Sequence, residues 1–271
     1  MGIDIFRTQL EKIDNRILKF LNLRMKLAQE IGEKKKSCGY PILDTYREDR
    51  YLKNLKAINR GPLRDNNLEG IYREIFSSSR SQQGGLKIGC PESHFLSCLL
   101  ASLFRFGSSS VFVPISMHHS QARDGKEPEV DIIVISIHLL LKKLQEDRSF
   151  LVSFFPSFSL GGEIDLSPIV SSQSVDNLYF FFQKHAIPKE NADSLNTVFL
   201  LGGMLAHETF LWVESQKGKV LYCSVDAKNP KNSFYLCEKT AKEPDKESIE
   251  YLWKKFTDNK GWIILIGSYP V

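Results

Sequence analysis

Apolar residues recur at intervals of three and four over the first 36 residues of the chain. The series is Ile3, Phe6, Leu10, Ile13, Ile17, Phe20, Leu21, Met25, Ala28 and Ile31. The spacing matches the helical period of about 3.6 residues and predicts one amphipathic helix of about nine turns over 3–36. A helix of roughly 50 Å needs an apolar partner along its length, so we expect it to pair with a second chain.

Turn-forming residues divide the rest of the first third into two further helices. Gly39 and Pro41 end the first helical pattern. Asp44 is a suitable N-cap for a second helix that runs to about residue 59, and Gly61-Pro62 precede a third helix over about 66–83. The first third is therefore predicted to be all helical.

The pattern changes after Gly84-Gly85, where short β-rich runs begin to alternate with helical segments. The predicted strands are 86–88, 111–113 and 131–137, and the predicted helices are 95–106 and 137–144. Beyond about residue 207, extended runs at 210–213, 220–225, 234–237 and 262–266 with a helix at 247–257 indicate a small α+β unit. We therefore predict three domains, at 1–84, 85–205 and 206–271.

Composition excludes several classes of protein. The chain has 271 residues, of which 42% are hydrophobic and 25% charged, so it is neither disordered nor fibrous. No apolar stretch is long enough to span a membrane, and Asp4 and Arg7 precede any signal core, which predicts a cytoplasmic protein without a membrane partner. Five cysteines form no CxxC pair, so neither a disulfide framework nor a metal site is indicated.

Positive charge is concentrated at the N-terminal end. Residues 1–83 hold 17 Lys and Arg against 11 Asp and Glu, an excess of six positive charges. Such an excess suggests either nucleic acid or a small polyanionic substrate. The first aromatic residues, Phe6 and Phe20, occupy apolar helical positions and do not alternate with the cations, which argues against nucleic acid.

Three cations of the first helix are the first candidates for anion binding. Arg24 and Lys35 are 11 residues apart, and at about 100° per residue they return to nearly the same helix face. Arg7 lies about 100° away from that face. We therefore expect Arg24 and Lys35 to line one pocket and Arg7 to serve the pocket of a paired chain.

The other two helices carry polar residues at matching intervals. Asp44, Arg47 and Glu48 share one face of the second helix, as Ser79 and Gln83 do on the third. Together with the first helix, they would bring cations, carboxylates and an amide to one small dianion.

Short motifs in the first 83 residues follow one another in a characteristic order. They are LEKIDNRIL at 10–18, RMKLA at 24–28, IG at 31–32, Lys35, PILD at 41–44, RE at 47–48, GPL at 61–63, IYREI at 71–75 and SRSQQ at 79–83. In these motifs the chain resembles the all-helical, type II chorismate mutase family. The resemblance implies a three-helix domain in an intertwined helical dimer. It also implies rearrangement of chorismate to prephenate, a step of the shikimate route to phenylalanine and tyrosine.

The resemblance assigns a role to each candidate residue. Arg24, Ser79 and the partner subunit's Arg7 fall on the positions that bind the two substrate carboxylates. Lys35 and Gln83 fall on the ether oxygen, Glu48 on the ring hydroxyl, and Asp44 and Arg47 on the adjacent wall. The catalytic set is therefore Arg24, Lys35, Glu48 and Gln83, and no metal or cofactor is implied.

The remainder of the chain carries a second resemblance. LKIGCPESHFLS at 86–97 is similar to the first strand and following turn of prephenate dehydratases, and ILIGSYP at 264–270 is similar to the end of an ACT regulatory domain. The Pro-Ile-Glu-Asn motif of that family stands here as SIHL at 136–139, and its Thr-Arg-Phe motif as TVF at 197–199. His138 and Val198 thus replace a carboxylate and a guanidinium, which implies a degenerate dehydratase-like region.

These observations predict a homodimeric chorismate mutase that binds chorismate and prephenate and is fused to degenerate dehydratase-like and ACT-like regions. One alternative is a bifunctional chorismate mutase/prephenate dehydratase that makes phenylpyruvate. The other is a non-catalytic sensor or scaffold protein. The complete set of mutase residues argues against the second alternative.

Overall fold

The computed structural model describes residues 2–117, 128–154, 156–167, 177–184, 194–202, 210–211, 213–214, 218–224, 233–241 and 262–271. The chain forms two compact units. The first unit comprises Met1–Ile88 and Ser102–Val113, and the second comprises Gly89–Ala101 and Pro114–Val271. Residues 102–113, which rejoin the first unit, are called the returning segment below.

Three helices build most of the first unit, as predicted. They are α1 (Ile3–Cys38), α2 (Thr45–Ile58) and α3 (Asp65–Gln83). The returning segment contains the end of α4 (Phe95–Phe106) and the start of strand β2 (Val111–Ile115). The predicted helix over 95–106 is confirmed residue for residue.

Local chemistry fixes the ends of the first two helices. Gly39 follows α1 with a φ of 71°, a left-handed conformation that favours glycine, and its N–H donates to the carbonyls of Lys35 and Lys36. Asp44 caps α2, where its carboxylate accepts a hydrogen bond from the Arg47 N–H at 3.0 Å. The predicted N-cap is thus confirmed.

Only the C-terminal half of α1 packs within the first unit. Its buried residues, Ala28 and Gly32, lie on the side that faces α3. Residues 2–20 are all exposed, and the apolar side chains among them are 49% to 71% exposed: Ile3, Ile5, Phe6, Leu10, Ile13, Ile17, Leu18 and Phe20. The N-terminal half of α1 therefore presents an apolar face that the described residues of its own chain leave uncovered.

A five-stranded sheet has the order β2-β1-β3-β5-β4. Its remaining strands are β1 (Lys87–Pro91), β3 (Ile132–Ser136), β4 (Ser159–Asp165) and β5 (Leu178–Gln183), with helices α5 (Ile137–Glu146) and α6 (Phe150–Phe154) between β3 and β4. Strand β5 runs antiparallel to both β3 and β4, with Val134 opposite Phe181. Strand β3 is buried on both faces, which explains its unbroken apolar sequence.

A four-stranded antiparallel sheet forms the rest of the described second unit, in the order β7-β8-β6-β9. Its strands are β6 (Leu195–Gly202), β7 (Lys219–Ser224), β8 (Phe234–Ala241) and β9 (Trp262–Pro270). Strand β6 lies before residue 206, where the predicted third domain begins. It nevertheless pairs with β8 and β9 of that domain along its whole length. The predicted order of a helical region, an α/β region and a strand-rich C-terminal region is confirmed.

Some predicted elements differ from the structure. The described residues within 210–213 are helical, so the extended run predicted there is wrong. Periodicity does not separate helix from strand in so short an apolar run. The predicted helix at 247–257 lies outside the described residues. None of the helices in the described part of the chain is both long and apolar enough to cross a membrane.

Two carboxyl groups of the second unit lie close together in a largely buried setting. Glu238 accepts hydrogen bonds from the Tyr269 hydroxyl and the Asn196 amide, both at 2.7 Å. Glu163 has a buried Oε2 with no hydrogen-bond partner among the described residues. Burial, reinforced by the negative charge of Glu238, raises the pKa of Glu163 to about 7, although Lys219 opposes the shift.

This raised pKa predicts pH-dependent stability. The folded chain binds the Glu163 proton more tightly than the unfolded chain, so Glu163 lowers stability progressively as pH rises from about 4.5 to about 7. Glu163→Gln removes the titration at nearly constant size. The variant should melt a few degrees (about 2–4 °C) above the parent at pH 8, and the difference should vanish near pH 4. Thermal unfolding at several pH values measures this, and a pH-independent difference would contradict it.

Candidate functional site

A pocket of about 260 Å³ lies among the three helices of the first unit. Its lining residues are Arg24, Leu27, Ala28, Ile31, Lys35, Ile42, Asp44, Arg47, Glu48, Tyr51, Phe76, Ser79, Arg80 and Gln83. Seven of the eight residues predicted from the sequence are in this set, and the structure thus brings them together. The eighth, Arg7, is not.

The pocket has an excess of positive charge. Its charged side chains are four cations and two carboxylates: Arg24, Lys35, Arg47 and Arg80 with Asp44 and Glu48. With all six ionised, the lining carries a net charge of two positive. This is the charge that complements a small dianion.

Arg24 and Ser79 are in direct contact across α1 and α3. The Arg24 guanidinium donates a hydrogen bond to the Ser79 hydroxyl and lies 5.6 Å from the centre of the Phe76 ring. Ser79 in turn donates to the Ile75 carbonyl at 2.7 Å. Arg24 and Ser79, which the sequence predicts to bind a substrate carboxylate, therefore form one polar edge of the pocket. The Arg24 guanidinium lies over the Phe76 ring.

Lys35 closes the turn between α1 and α2. Its ammonium donates to the Ile42 carbonyl at 2.7 Å. Burial lowers the pKa of Lys35, while the neighbouring charges of Asp44 and Glu48 oppose this shift and that of Arg47 adds to it. The ammonium is thus partly stripped of water, and a positive charge in such a setting acts strongly on a bound anion.

Gln83 reaches the pocket where α1 and α3 approach most closely. A Cβ atom added to Gly32 would lie 2.8 Å from the Gln83 Cα, so only glycine fits at this crossing. The Gln83 Oε1 is buried and has no hydrogen-bond partner among the described residues. An unpaired buried carbonyl oxygen is costly, so a ligand group that donates a hydrogen bond to it gains affinity.

Arg7 lies far from the pocket of its own chain. It precedes Arg24 by 17 residues, which corresponds to about 25 Å along a continuous helix. Its side chain is 72% exposed and pairs with Asp4 at 3.3 Å, one turn away. The sequence-based assignment of Arg7 to the site of a second chain stays a prediction.

Sequence reasoning missed one charged residue of the pocket. Arg80 is 3% exposed, and its Nη1 donates to both carboxylate oxygens of Glu48, at 2.5 and 2.6 Å. Phe76, Ser79, Arg80 and Gln83 follow the i, i+3, i+4, i+7 spacing of one helix face. Two signals in the sequence point to Arg80: this spacing, and its place inside the SRSQQ motif at 79–83.

The two positions that depart from the dehydratase motifs lie in the second unit. His138 is exposed on α5, and its ring meets the Tyr222 ring edge to face at 5.8 Å. Val198 is fully buried in β6. A fully buried valine supplies packing and no charge, so position 198 provides no anion contact.

Within the described part of the chain, no group of three or more His, Cys, Asp or Glu residues is placed to hold a metal ion.

Comparison with known proteins decides the family of the helical region. Residues 6–84 match the model of the family described as chorismate mutase type II. This region is a type II chorismate mutase domain. Over 116 residues the chain is 34% identical to a bifunctional chorismate mutase/prephenate dehydratase of Aquifex aeolicus (strain VF5). That alignment covers 41% of this chain and 32% of the relative, so the chain spans about a third of the length of the curated relative it matches.

Two solved structures are also similar. A form II chorismate mutase of Thermus thermophilus is 32% identical and covers 31% of this chain and 96% of its own length, with a TM-score of 0.31. A prephenate dehydratase of Streptococcus mutans is 10% identical and covers 68% of this chain and 97% of its own, with a TM-score of 0.40. The resemblance of the N-terminal region to the mutase family, predicted from its motifs, is confirmed by the family match.

The close approach at Gly32 makes a prediction about the mutase domain. In Gly32→Ala the added methyl group collides with the backbone of Gln83, and we expect the free energy of unfolding to fall by about 1–3 kcal/mol. The matched control is Gly70→Ala on α3, where the nearest atom is the end of the Arg73 side chain at 3.5 Å. The control should gain up to about 1 kcal/mol from helix propensity. Denaturant unfolding measures both, and equal effects would contradict the steric argument.

Proposed function

We propose that this protein is a chorismate mutase that rearranges chorismate to prephenate in the synthesis of aromatic amino acids. The observation that carries the proposal is the convergence of Arg24, Lys35 and Gln83 in one pocket of net positive charge, inside the region that matches the mutase family. The reaction is unimolecular and pericyclic, with no nucleophile and no proton transfer. The pocket therefore has only to hold the substrate and to polarise it.

The first task is to bind the two carboxylates. Arg24 and Ser79 take one carboxylate, and the partner subunit's Arg7 takes the other. Charge-assisted hydrogen bonds of this kind fix both position and orientation. The enolpyruvyl arm is then held over the ring, and holding the reacting atoms close together supplies several kcal/mol of the barrier reduction.

The second task is to stabilise the transition state. As the C–O bond breaks, negative charge grows on the ether oxygen. The Lys35 ammonium and the Gln83 side-chain N–H donate hydrogen bonds to this oxygen. Because this charge is larger in the transition state than in the substrate, the interaction lowers the barrier. Glu48 accepts a hydrogen bond from the ring hydroxyl, with Asp44 and Arg47 along the same wall.

The domain comprises residues 1–84 in this proposal, followed by a degenerate dehydratase-like region at 85–205 and an ACT-like region at 206–271. The pairing of β6 with β8 and β9 supports placing residues 195–202 with the ACT-like region. His138 stands where the dehydratase motif has a carboxylate, and this supports the loss of dehydratase chemistry. Val198 lies on β6 and therefore belongs with the ACT-like region. We place the protein in the cytoplasm.

The mutase acts as a homodimer in this proposal, with two α1 helices antiparallel to each other. The exposed apolar face of residues 3–20 supports a second copy of α1 as its cover, since burial of such side chains gains about 25 cal/mol per Å². The distance of about 25 Å between Arg7 and Arg24 along α1 supports the transfer of Arg7 to the other site.

The function is tested by incubating the full chain with chorismate, with absorbance and product chromatography as readouts. We expect prephenate and no phenylpyruvate. Phenylpyruvate would show a bifunctional enzyme, and no product would show a non-catalytic protein.

Lys35→Ala and Gln83→Ala should each lower kcat by roughly 10²-fold or more while the helical circular dichroism is unchanged. Activity within twofold of the parent in both variants would contradict the assigned roles.

The shared site predicts complementation between two inactive variants. Arg7→Ala and Lys35→Ala should each be nearly inactive. When they are mixed, unfolded and refolded together, each heterodimer has one site with both lesions and one site with none. Random pairing then restores about a quarter of the wild-type sites.

Two measurements control the complementation experiment. Light scattering confirms that the refolded mixture is dimeric, and each variant refolded alone gives the baseline. A dimeric mixture no more active than the mean of the two baselines would show that Arg7 serves its own chain.

A further inference from the structure

Both terminal nitrogens of the Arg80 guanidinium are hydrogen-bonded inside the mutase domain. Its Nη1 donates to the two carboxylate oxygens of Glu48, and its Nη2 donates to the Phe106 carbonyl of the returning segment at 2.5 Å. The Arg80 side chain is 4% exposed, whereas that of Glu48 is 22% exposed and faces the pocket. Arg80 thus lines the same pocket as Glu48 but is more deeply buried.

The backbone carbonyl of Phe106 limits the freedom of the guanidinium. A buried arginine needs partners for its donors, and a carbonyl in a packed segment is a fixed acceptor. The buried Nε of Arg80 has no hydrogen-bond partner among the described residues, so the two Nη atoms make the hydrogen bonds that hold the guanidinium. The returning segment is itself anchored on α3: Arg73 donates to the Phe104 carbonyl at 2.5 Å, and the Ser109 N–H donates to the Ser77 hydroxyl at 2.9 Å. The position of Arg80 is therefore set by the packing of residues 102–113.

Without this partner, Glu48 would have other cations to pair with. Glu48 lies close enough to Lys35 to influence its ionisation, and both line the same pocket. A carboxylate that pairs with Lys35 would take from the substrate the cation assigned to the ether oxygen. Without Arg80 the pocket would also lose one positive charge, which weakens its attraction for a dianion.

We propose that Arg80 is a positioning residue of the chorismate site, which acts through Glu48 and is itself held by the returning segment. The proposal rests on the proposed mutase function. In this proposal Arg80 acts on the substrate through Glu48 and makes no contact with it. It turns the Glu48 carboxylate toward the ring hydroxyl, neutralises its charge and leaves Lys35 available for the ether oxygen.

A double-mutant cycle tests this proposal in the full-length chain. Arg80→Met should lower kcat/KM for chorismate by about 10-fold to 100-fold, mainly through kcat, because Lys35 acts in the transition state. In the Glu48→Gln background the same substitution should cost less than about threefold, since the carboxylate that Arg80 restrains is gone. Arg80→Lys keeps the charge but not the fork, and it should recover part of the lost kcat.

The matched control is Arg73→Met. Arg73 lies two turns earlier on α3, bonds to the same returning segment and stacks on the Phe104 ring at 5.0 Å, but its guanidinium is not bonded to Glu48. Arg73→Met should leave kcat within about threefold of the parent, even where it changes the melting temperature. Melting temperatures of all variants separate loss of fold from loss of positioning.

Each outcome decides the proposal. If Arg80→Met does not fold, two comparisons remain. The Arg80→Met/Glu48→Gln double variant leaves no unpaired buried charge, and its kcat/KM is compared with that of Glu48→Gln. The kcat/KM of Arg80→Lys is compared with that of the parent. An equal loss in both backgrounds, or an equal loss from Arg73→Met, overturns the role of Arg80 while the mutase function stands. A wild-type chain that forms no prephenate overturns the proposed function first, and this inference with it.

Discussion

Arg24, Lys35 and Arg47 converge in one pocket, and like charges held close together repel one another. The first unit has to accommodate this repulsion before any substrate arrives. Asp44 and Glu48 offset part of it, and the lowered pKa of Lys35 shows the cost of keeping an ammonium partly desolvated beside another cation. A bound dianion relieves the repulsion, so substrate binding and domain stability are linked.

The helical scaffold meets this constraint by close packing. At Gly32 the backbones of α1 and α3 approach so closely that the Gln83 side chain lies directly against the glycine. Only the C-terminal half of α1 takes part in this packing, which leaves the apolar face of its N-terminal half exposed. In the proposed dimer, that excess length is what places Arg7 beside the other chain's pocket. A compact monomer with a shorter α1 would have no means of doing so.

Sequence reasoning predicted the mutase domain in detail because its signals are local. Periodicity, the Asp44 cap and the Gly39 terminator fix three helices to within about two residues, and helix geometry alone places Arg24 and Lys35 on one face. Strands β4, β5 and β6 were missed because their glycine, aromatic and aliphatic runs lack the alternation of apolar and polar residues that marks a strand in the sequence. The hydrogen bonds of Arg80 were not predicted because its partners, Glu48 and Phe106, are 32 and 26 residues away.

The returning segment bears on where the mutase domain ends as a folding unit. The family match stops at residue 84, yet Arg80 bonds to the Phe106 carbonyl and Glu74 accepts a hydrogen bond from the Ser108 hydroxyl at 2.6 Å. Arg105 also forms two hydrogen bonds with Asp49 on α2, at 2.8 and 2.6 Å. A chain cut at residue 84 would keep the ion pair of Arg80 with Glu48 but lose the carbonyl that holds the Arg80 Nη2. In physical terms, the mutase domain of this chain therefore extends through residues 102–113, although these residues lie outside the family's sequence pattern.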